Sequence, residues 1–213
     1  MVEMSKMSMN IKVDRLGKRF QREWIVRRFS YEFSAGQIYA VHGPNGSGKS
    51  TLLKMLSSHL SPSKGKISFF QAQKAIPVAE VYSHLAYAAP YIELIEELTL
   101  DEAIHFHLRF KNLLDGLSAN DLIKILGFES SQHKQIRFFS SGMKQRLKLA
   151  LAICSDTSLL LLDEPTTNFD KQGIQWYRQL LQKYTRDRIV IIASNIALDF
   201  DFAQHEIHIL DYK

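Results

Sequence analysis

The sequence is poor in several features that mark whole classes of protein. It holds one cysteine, Cys154, so no disulfide framework can form within the chain, and small secreted disulfide scaffolds are excluded. A free thiol fits a reducing cytoplasm. Long apolar runs are missing as well. The longest, 159–162 and 189–193, fall far short of the roughly 20 residues a membrane helix needs. If the protein works at a membrane, another chain is expected to supply the spans. The first ten residues contain no continuous apolar stretch, which argues against a secretory leader. No internal repeat, low-complexity linker or sustained heptad pattern is found, so solenoids and coiled coils are excluded.

What remains is an ordinary globular composition. Hydrophobic residues make up 46% and charged residues 23% of 213 residues, enough for one domain with a real core. The net charge of +5 permits contact with an anionic surface without demanding it.

Along the chain, 1–10 is Met-rich and reads as a loose tail. Residues 11–38 read as short strands broken by polar turns. Residues 37–41 form a short apolar strand, followed at once by glycines. Leu52, Leu53 and Leu56 share one side of a predicted helix over 49–60, stopped by Ser61-Pro-Ser-Lys-Gly65. From about 91 to 128 the pattern is helical. Thr99 with Glu102 has capping-box spacing, and Ser118 with Asp121 is a weaker version. A helix is predicted after Ser140, a buried strand over 159–162, a helix through Trp176 and Leu180, and strands at 189–193 and 206–210. Strands alternating with helices imply an α/β core with a largely parallel sheet, and the helical middle reads as an insertion.

Two motifs carry chemistry. Gly43-Pro-Asn45-Gly46-Ser47-Gly48-Lys49-Ser50 matches G-x-x-x-x-G-K-[ST], after a predicted strand and before a predicted helix. Its glycines let backbone N–H groups turn around a β-phosphate, and the helix start adds positive potential. Lys49 reaches the β- and γ-phosphates, and Ser50 offers a hydroxyl to Mg²⁺. The second is Asp163-Glu164, two carboxylates at the carboxyl end of a hydrophobic strand, where parallel sheets bind ligands. Asp163 suits Mg²⁺ held through water; Glu164 suits a general base for an attacking water.

With these motifs the chain resembles the ATP-binding cassette (ABC) ATPases over about 11–210. Phe139-Ser140-Ser141-Gly142-Met143-Lys144-Gln145-Arg146 resembles the family signature Leu-Ser-Gly-Gly-Gln followed by Gln-Arg. Ser140, Gly142, Gln145 and Arg146 match; Ser141 stands for glycine and Met143 for glutamine. The resemblance implies a P-loop NTPase core with a mostly parallel sheet, an N-terminal antiparallel β subdomain and an inserted helical subdomain near 93–145, all one nucleotide-binding domain over 1–213. It implies ATP and Mg²⁺ as cofactors. Asn45, Ser47 and Thr51 would join the phosphate cradle, and Phe20 would stack on adenine. Ser140 and Gly142 would close over ATP held by a second cassette in a head-to-tail dimer. Thr167-Asn168-Phe169-Asp170 follows the acidic pair as the family's D-loop does.

Two positions depart from the pattern. Pro90 stands where the family has a glutamine that senses Mg²⁺ and water, and Glu93 is the nearest residue able to reach a metal. Asn195 stands where a histidine contacts the γ-phosphate; an amide hydrogen-bonds but carries no charge. Hydrolysis that is slower or more partner-dependent is therefore expected. The function so implied is the ATP-hydrolysing subunit of a transporter, cytoplasmic and peripheral on the membrane's inner face, driving separate transmembrane permease subunits. Nucleic acid is not expected. Two rivals stay open: a soluble cassette ATPase acting on ribosomes or DNA, and a regulatory subunit that holds ATP with little turnover.

Among other clusters, His105 and His107 lie two apart on a predicted helix and face different ways, which disfavours a metal site. Arg15, Lys18, Arg19, Arg22, Arg27 and Arg28 read first as a solvated face of exposed strands, with contact to anionic lipid heads as the alternative. Glu93, Glu96, Glu97, Asp101 and Glu102 give the insert an acidic entrance, either ordinary helix-start acids or a surface for a membrane subunit.

Overall fold

The computed structural model describes residues 8–213. The chain divides into two compact units. Among the described residues, the first comprises 8–87, 157–163 and 185–213; the second comprises 88–156 and 164–184. The expectation of a loose tail falls mainly on 1–7, outside the described residues. Met9 and Asn10 belong to the first strand, with Met9 buried.

In the first unit, 11–38 forms two long strands rather than several short ones. These are β1 (Met9–Phe20) and β2 (Glu23–Ser34), paired antiparallel and joined by a turn with Gln21 at φ +52°. Strict alternation is lost at Val13/Leu16 and again at Leu16/Lys18, where the register shifts. These bulges break the period-2 pattern and hide the strands' continuity. β4 (Lys64–Gln71) pairs with β1, and β5 (Lys74–Ile76) with β4, giving a four-stranded antiparallel sheet in the order β2-β1-β4-β5.

A second sheet has the order β6-β7-β8-β3-β9, built from β3 (Ile38–His42), β6 (Leu85–Ala88), β7 (Leu159–Asp163), β8 (Ile189–Ser194) and β9 (His205–His208). β7, β8, β3 and β9 run parallel in successive pairs. β7 and β8 are buried along their whole length, which is why they read as continuous apolar runs. The helix α1 (Lys49–Leu56) is shorter than the predicted 49–60: Ser57 ends it, and Ser58 turns the chain at φ +61°. Leu52, Leu53, Met55 and Leu56 of α1 join Phe29, Phe33 and Phe69 of the antiparallel sheet, and Leu161 and Ile191 of the parallel sheet, in one core. A short helix, α2 (Val81–His84), precedes β6.

The second unit is helical, though less continuously than 91–128 suggests. Its helices are α3 (Leu100–Leu108), α4 (Ala119–Leu126), α5 (Ser141–Ile153) and α6 (Lys171–Tyr184). Thr99 and Ser118 both complete reciprocal capping boxes, with Glu102 and Asp121. α5 packs on α4 and α6. Trp176 Nε1 donates to Ile125 O at 2.9 Å, tying α6 to α4. No helix among the described residues is long and apolar enough to cross a membrane.

Candidate nucleotide site

Three neighbouring parallel strands end at one level in the first unit. Asp163 of β7 is in register with Ala193 of β8, and Ser194 with His42 of β3. Their carboxyl ends therefore carry Asp163, Asn195 and the glycine loop along one sheet edge, where α/β sheets bind ligands.

The loop 43–48 leaves β3 and enters α1. Gly43 and Gly48 have φ of +149° and +106°, in the region L side chains avoid. A Cβ on Gly48 would lie 2.9 Å from Ile25 Cγ2, so the loop is pressed against β2 and accepts only glycine there. Lys49 is 5% exposed and folds back, donating from Nζ to Gly43 O at 2.9 Å and Pro44 O at 3.3 Å. Ser50 and Thr51 form the first turn of α1, which packs against β7 and β8.

These residues fit a bound triphosphate. Ser47 Oγ is buried in the loop and has no hydrogen-bond partner among the described residues, and such an atom calls for a polar ligand. Lys49 lies over the loop it would share with phosphate oxygens. A Mg²⁺ ion would find oxygen donors of the hard type it prefers in the Ser50 hydroxyl and the Asp163 carboxylate, which is 1% exposed.

The chain after β8 is anchored by a buried hydrogen bond from Ser194 Oγ to Asp199, while Ser194 Oγ also accepts from Ile196 N at 3.0 Å. This fixes Asn195 between them. Its Nδ2 donates to Asn45 Oδ1 at 3.0 Å, joining the turn after β8 to the glycine loop across 150 residues of sequence. Sequence reasoning missed that partner, although Asn45 is part of the motif. Phe20 is 48% exposed at the end of β1 with Lys18 Nζ 5.2 Å from its ring centroid, so it is no core aromatic.

In the second unit, Glu164 follows β7 with φ +46°. A left-handed glutamate is a strained conformation of the kind that gathers at functional sites. Ser140 caps α5, accepting from Met143 N at 3.2 Å. The amide end of α5 is thus an anion site in form. Gly142 faces the D-loop stretch: a Cβ there would lie 3.6 Å from Asn168 O. Gln145 Nε2 donates to Pro165 O at 2.8 Å, a buried bond between α5 and the turn after Glu164. Asp170 Oδ1 accepts from Gly173 N at 2.7 Å and so starts α6. Pro90 O accepts from Lys148 Nζ at 3.0 Å, and burial lowers the pKa of Lys148. Glu96 pairs with Lys144 of α5 at 2.5 Å.

Residues 26–167 match the ABC transporter family, and the chain belongs to that family. It is 31% identical over 188 residues to an uncharacterised ABC transporter ATP-binding protein, YcbN, of Bacillus subtilis (strain 168), covering 87% of this chain and 61% of that protein. It is 37% identical over 172 residues to the cytochrome c biogenesis ATP-binding export protein CcmA of Cupriavidus pinatubonensis, covering 78% of this chain and 74% of that one. In fold it is similar to an ABC transporter ATP-binding protein of Pyrococcus furiosus, with a TM-score of 0.81 at 20% identity, covering 96% of this chain and 99% of that chain.

Proposed function

We propose that this chain, as one nucleotide-binding domain with a helical insert, binds Mg²⁺–ATP and hydrolyses it to drive separate transmembrane permease subunits from the cytoplasmic face of a membrane. The observation that carries this reading is the loop 43–48, where a buried unpartnered Ser47 Oγ and the glycine φ angles accompany Lys49. ATP supplies a γ-phosphoryl group for transfer to water. Lys49 and the loop amides neutralise charge on the phosphates. Ser50 and Asp163 hold the metal. Glu164 takes the proton from the attacking water. Ser140 and the α5 amides serve ATP held by a second cassette, so two chains pair head to tail, with themselves or with a different cassette. Exposed Tyr91, Ile95, Phe106, Phe110 and Phe138 of the helical unit support a docking surface for a permease.

The test is ATP turnover by the purified chain and by Glu164→Gln, with and without membranes from the source. Turnover lost in Glu164→Gln and raised by membranes is expected. A second reading, a regulatory subunit with little hydrolysis, rests on Asn195, whose amide is bonded to Asn45 and offers no positive charge. ATP binding with negligible turnover in every condition would favour it.

A further inference from the structure

The early arginines gather on the antiparallel sheet. A cavity of about 290 Å³ opens there, lined by Trp24 and by Arg15, Arg19, Arg27, Arg28 and Lys64. Three cations flank the half-buried Trp24 ring: Arg19 at 5.6 Å from its centroid, Lys64 at 5.8 Å and Arg27 at 6.0 Å. Gly17 forms the floor, since a Cβ there would lie 2.9 Å from Trp24 Cζ3. The other two arginines come from bulges. Between Val13↔Tyr31 and Leu16↔Phe29, β1 has two residues against one, and Arg15 takes φ +45°. Between Leu16↔Phe29 and Lys18↔Val26, β2 has two against one, and Arg28 takes φ +56°. Bulges re-aim side chains, and left-handed arginines are a strained way to present charge. Arg15 Nε has Asp14 at 3.4 Å. Arg19, Arg27, Arg28 and Lys64 make no ion pair among the described residues.

We infer that this cavity binds a compact polyanion carrying two or more phosphate groups, at a site separate from the ATP cradle. Guanidinium forks match phosphate oxygens bidentately, and the indole holds them in place beforehand. Because cations already lie over Trp24, recognition is through phosphate and not through a stacked base. The concave shape suits a soluble polyphosphate or a multiply phosphorylated lipid headgroup.

Calorimetric titration of tripolyphosphate into the full-length Lys49→Ala chain, with the cradle disabled, should show saturable, salt-weakened binding. Arg27→Ala/Arg28→Ala in that background should weaken it at least ten-fold. In the otherwise wild-type chain the same pair should leave ATP turnover unchanged. Arg28→Gly relieves the left-handed φ, so it should hold or raise the melting temperature while still losing affinity; this variant cannot be dismissed as misfolded. Sedimentation with phosphatidylcholine vesicles containing 5% phosphatidylinositol bisphosphate, about one lipid in twenty, separates the sources. Co-sedimentation that tripolyphosphate reverses assigns the site to a headgroup; binding of tripolyphosphate alone assigns it to a soluble ligand. Absence of saturable binding to either probe, or affinity unchanged in the arginine variants, overturns the inference.

Discussion

Glu164 and Asn195 are the residues on which turnover should depend most directly. The carboxylate of Glu164 stands just past β7 on a left-handed backbone, so Glu164→Gln keeps the shape and removes the base. Steady-state turnover should fall by about 10²–10⁴-fold while ATP binding persists. Asn195 is fixed by the Ser194–Asp199 anchor and bonded to Asn45. Asn195→His places a chargeable ring at that position and should raise turnover several-fold, whereas a purified complex at ordinary family rates, unmoved by Asn195→Ala, would remove Asn195 from the mechanism. His107 is a structural residue with a pH signature. Its Nε2 lies 2.8 Å from Ser155 Oγ, and burial, aided by Lys111, lowers its pKa to about 4. The folded value is depressed below the ordinary 6.5, so the unfolded chain binds more protons between the two. Stability is therefore full above about pH 6.5 and lost as pH falls toward 4, by at most about 3 kcal/mol. Urea unfolding at pH 7.5 and 4.5 should show part of that loss in the wild type and less of it in His107→Gln.

Elements differ in how plainly the sequence announces them, and the physical reason is whether their signal is local. Caps are local. Thr99 and Ser118 with their carboxylates three residues on define the starts of α3 and α4. The Thr99 hydrogen bonds also hold the Glu102 carboxyl below the usual carboxylate range. Thr99→Ala should cost about 1 kcal/mol in chemical denaturation. β7 and β8 were legible because burial on both faces leaves an unbroken apolar run. The glycine loop was legible because its residue types follow from phosphate geometry. β1 and β2 were not, since three register shifts, between Val13 and Leu16, Leu16 and Lys18, and Lys18 and Arg19, add residues and reverse the alternation midway. The same bulges explain why the cationic cavity was invisible: its residues come from β1, β2 and β4, and only strand pairing brings Lys64 opposite Gly17. The end of α1 was misplaced because Ser57 and Ser58 stop it before the Pro62 punctuation.

At the scale of the whole molecule, the chain offers its own probes of how ligand binding is distributed. It has two tryptophans, Trp24 in the first compact unit and Trp176 in the second. The phosphate loop, Asp163 and Asn195 all belong to the first unit, whereas Glu164 and Ser140 belong to the second. A ligand that binds only folded protein stabilises it by about 2.7 kcal/mol at a hundred times Kd. For a unit of this size that raises a melting midpoint by roughly 10 °C. Thermal unfolding followed by fluorescence should show the Trp24 signal, isolated in Trp176→Phe, moving by that amount with Mg²⁺–ATP. The Trp176 signal, isolated in Trp24→Phe, should move less in the monomeric chain, because no phosphate contact is assigned to its unit until a second cassette arrives. In a chain that also carries Arg27→Ala/Arg28→Ala, so that the cationic cavity cannot take the triphosphate, Lys49→Ala should abolish the Trp24 shift. Adding ATP to Glu164→Gln at high protein concentration, where hydrolysis no longer reopens a pair, should bring the Trp176 midpoint up as well and double the mass seen by light scattering. A Trp176 midpoint that rises fully in dilute monomer would mean that the two units unfold as one. A Glu164→Gln chain that stays monomeric with saturating ATP would sink the head-to-tail pairing.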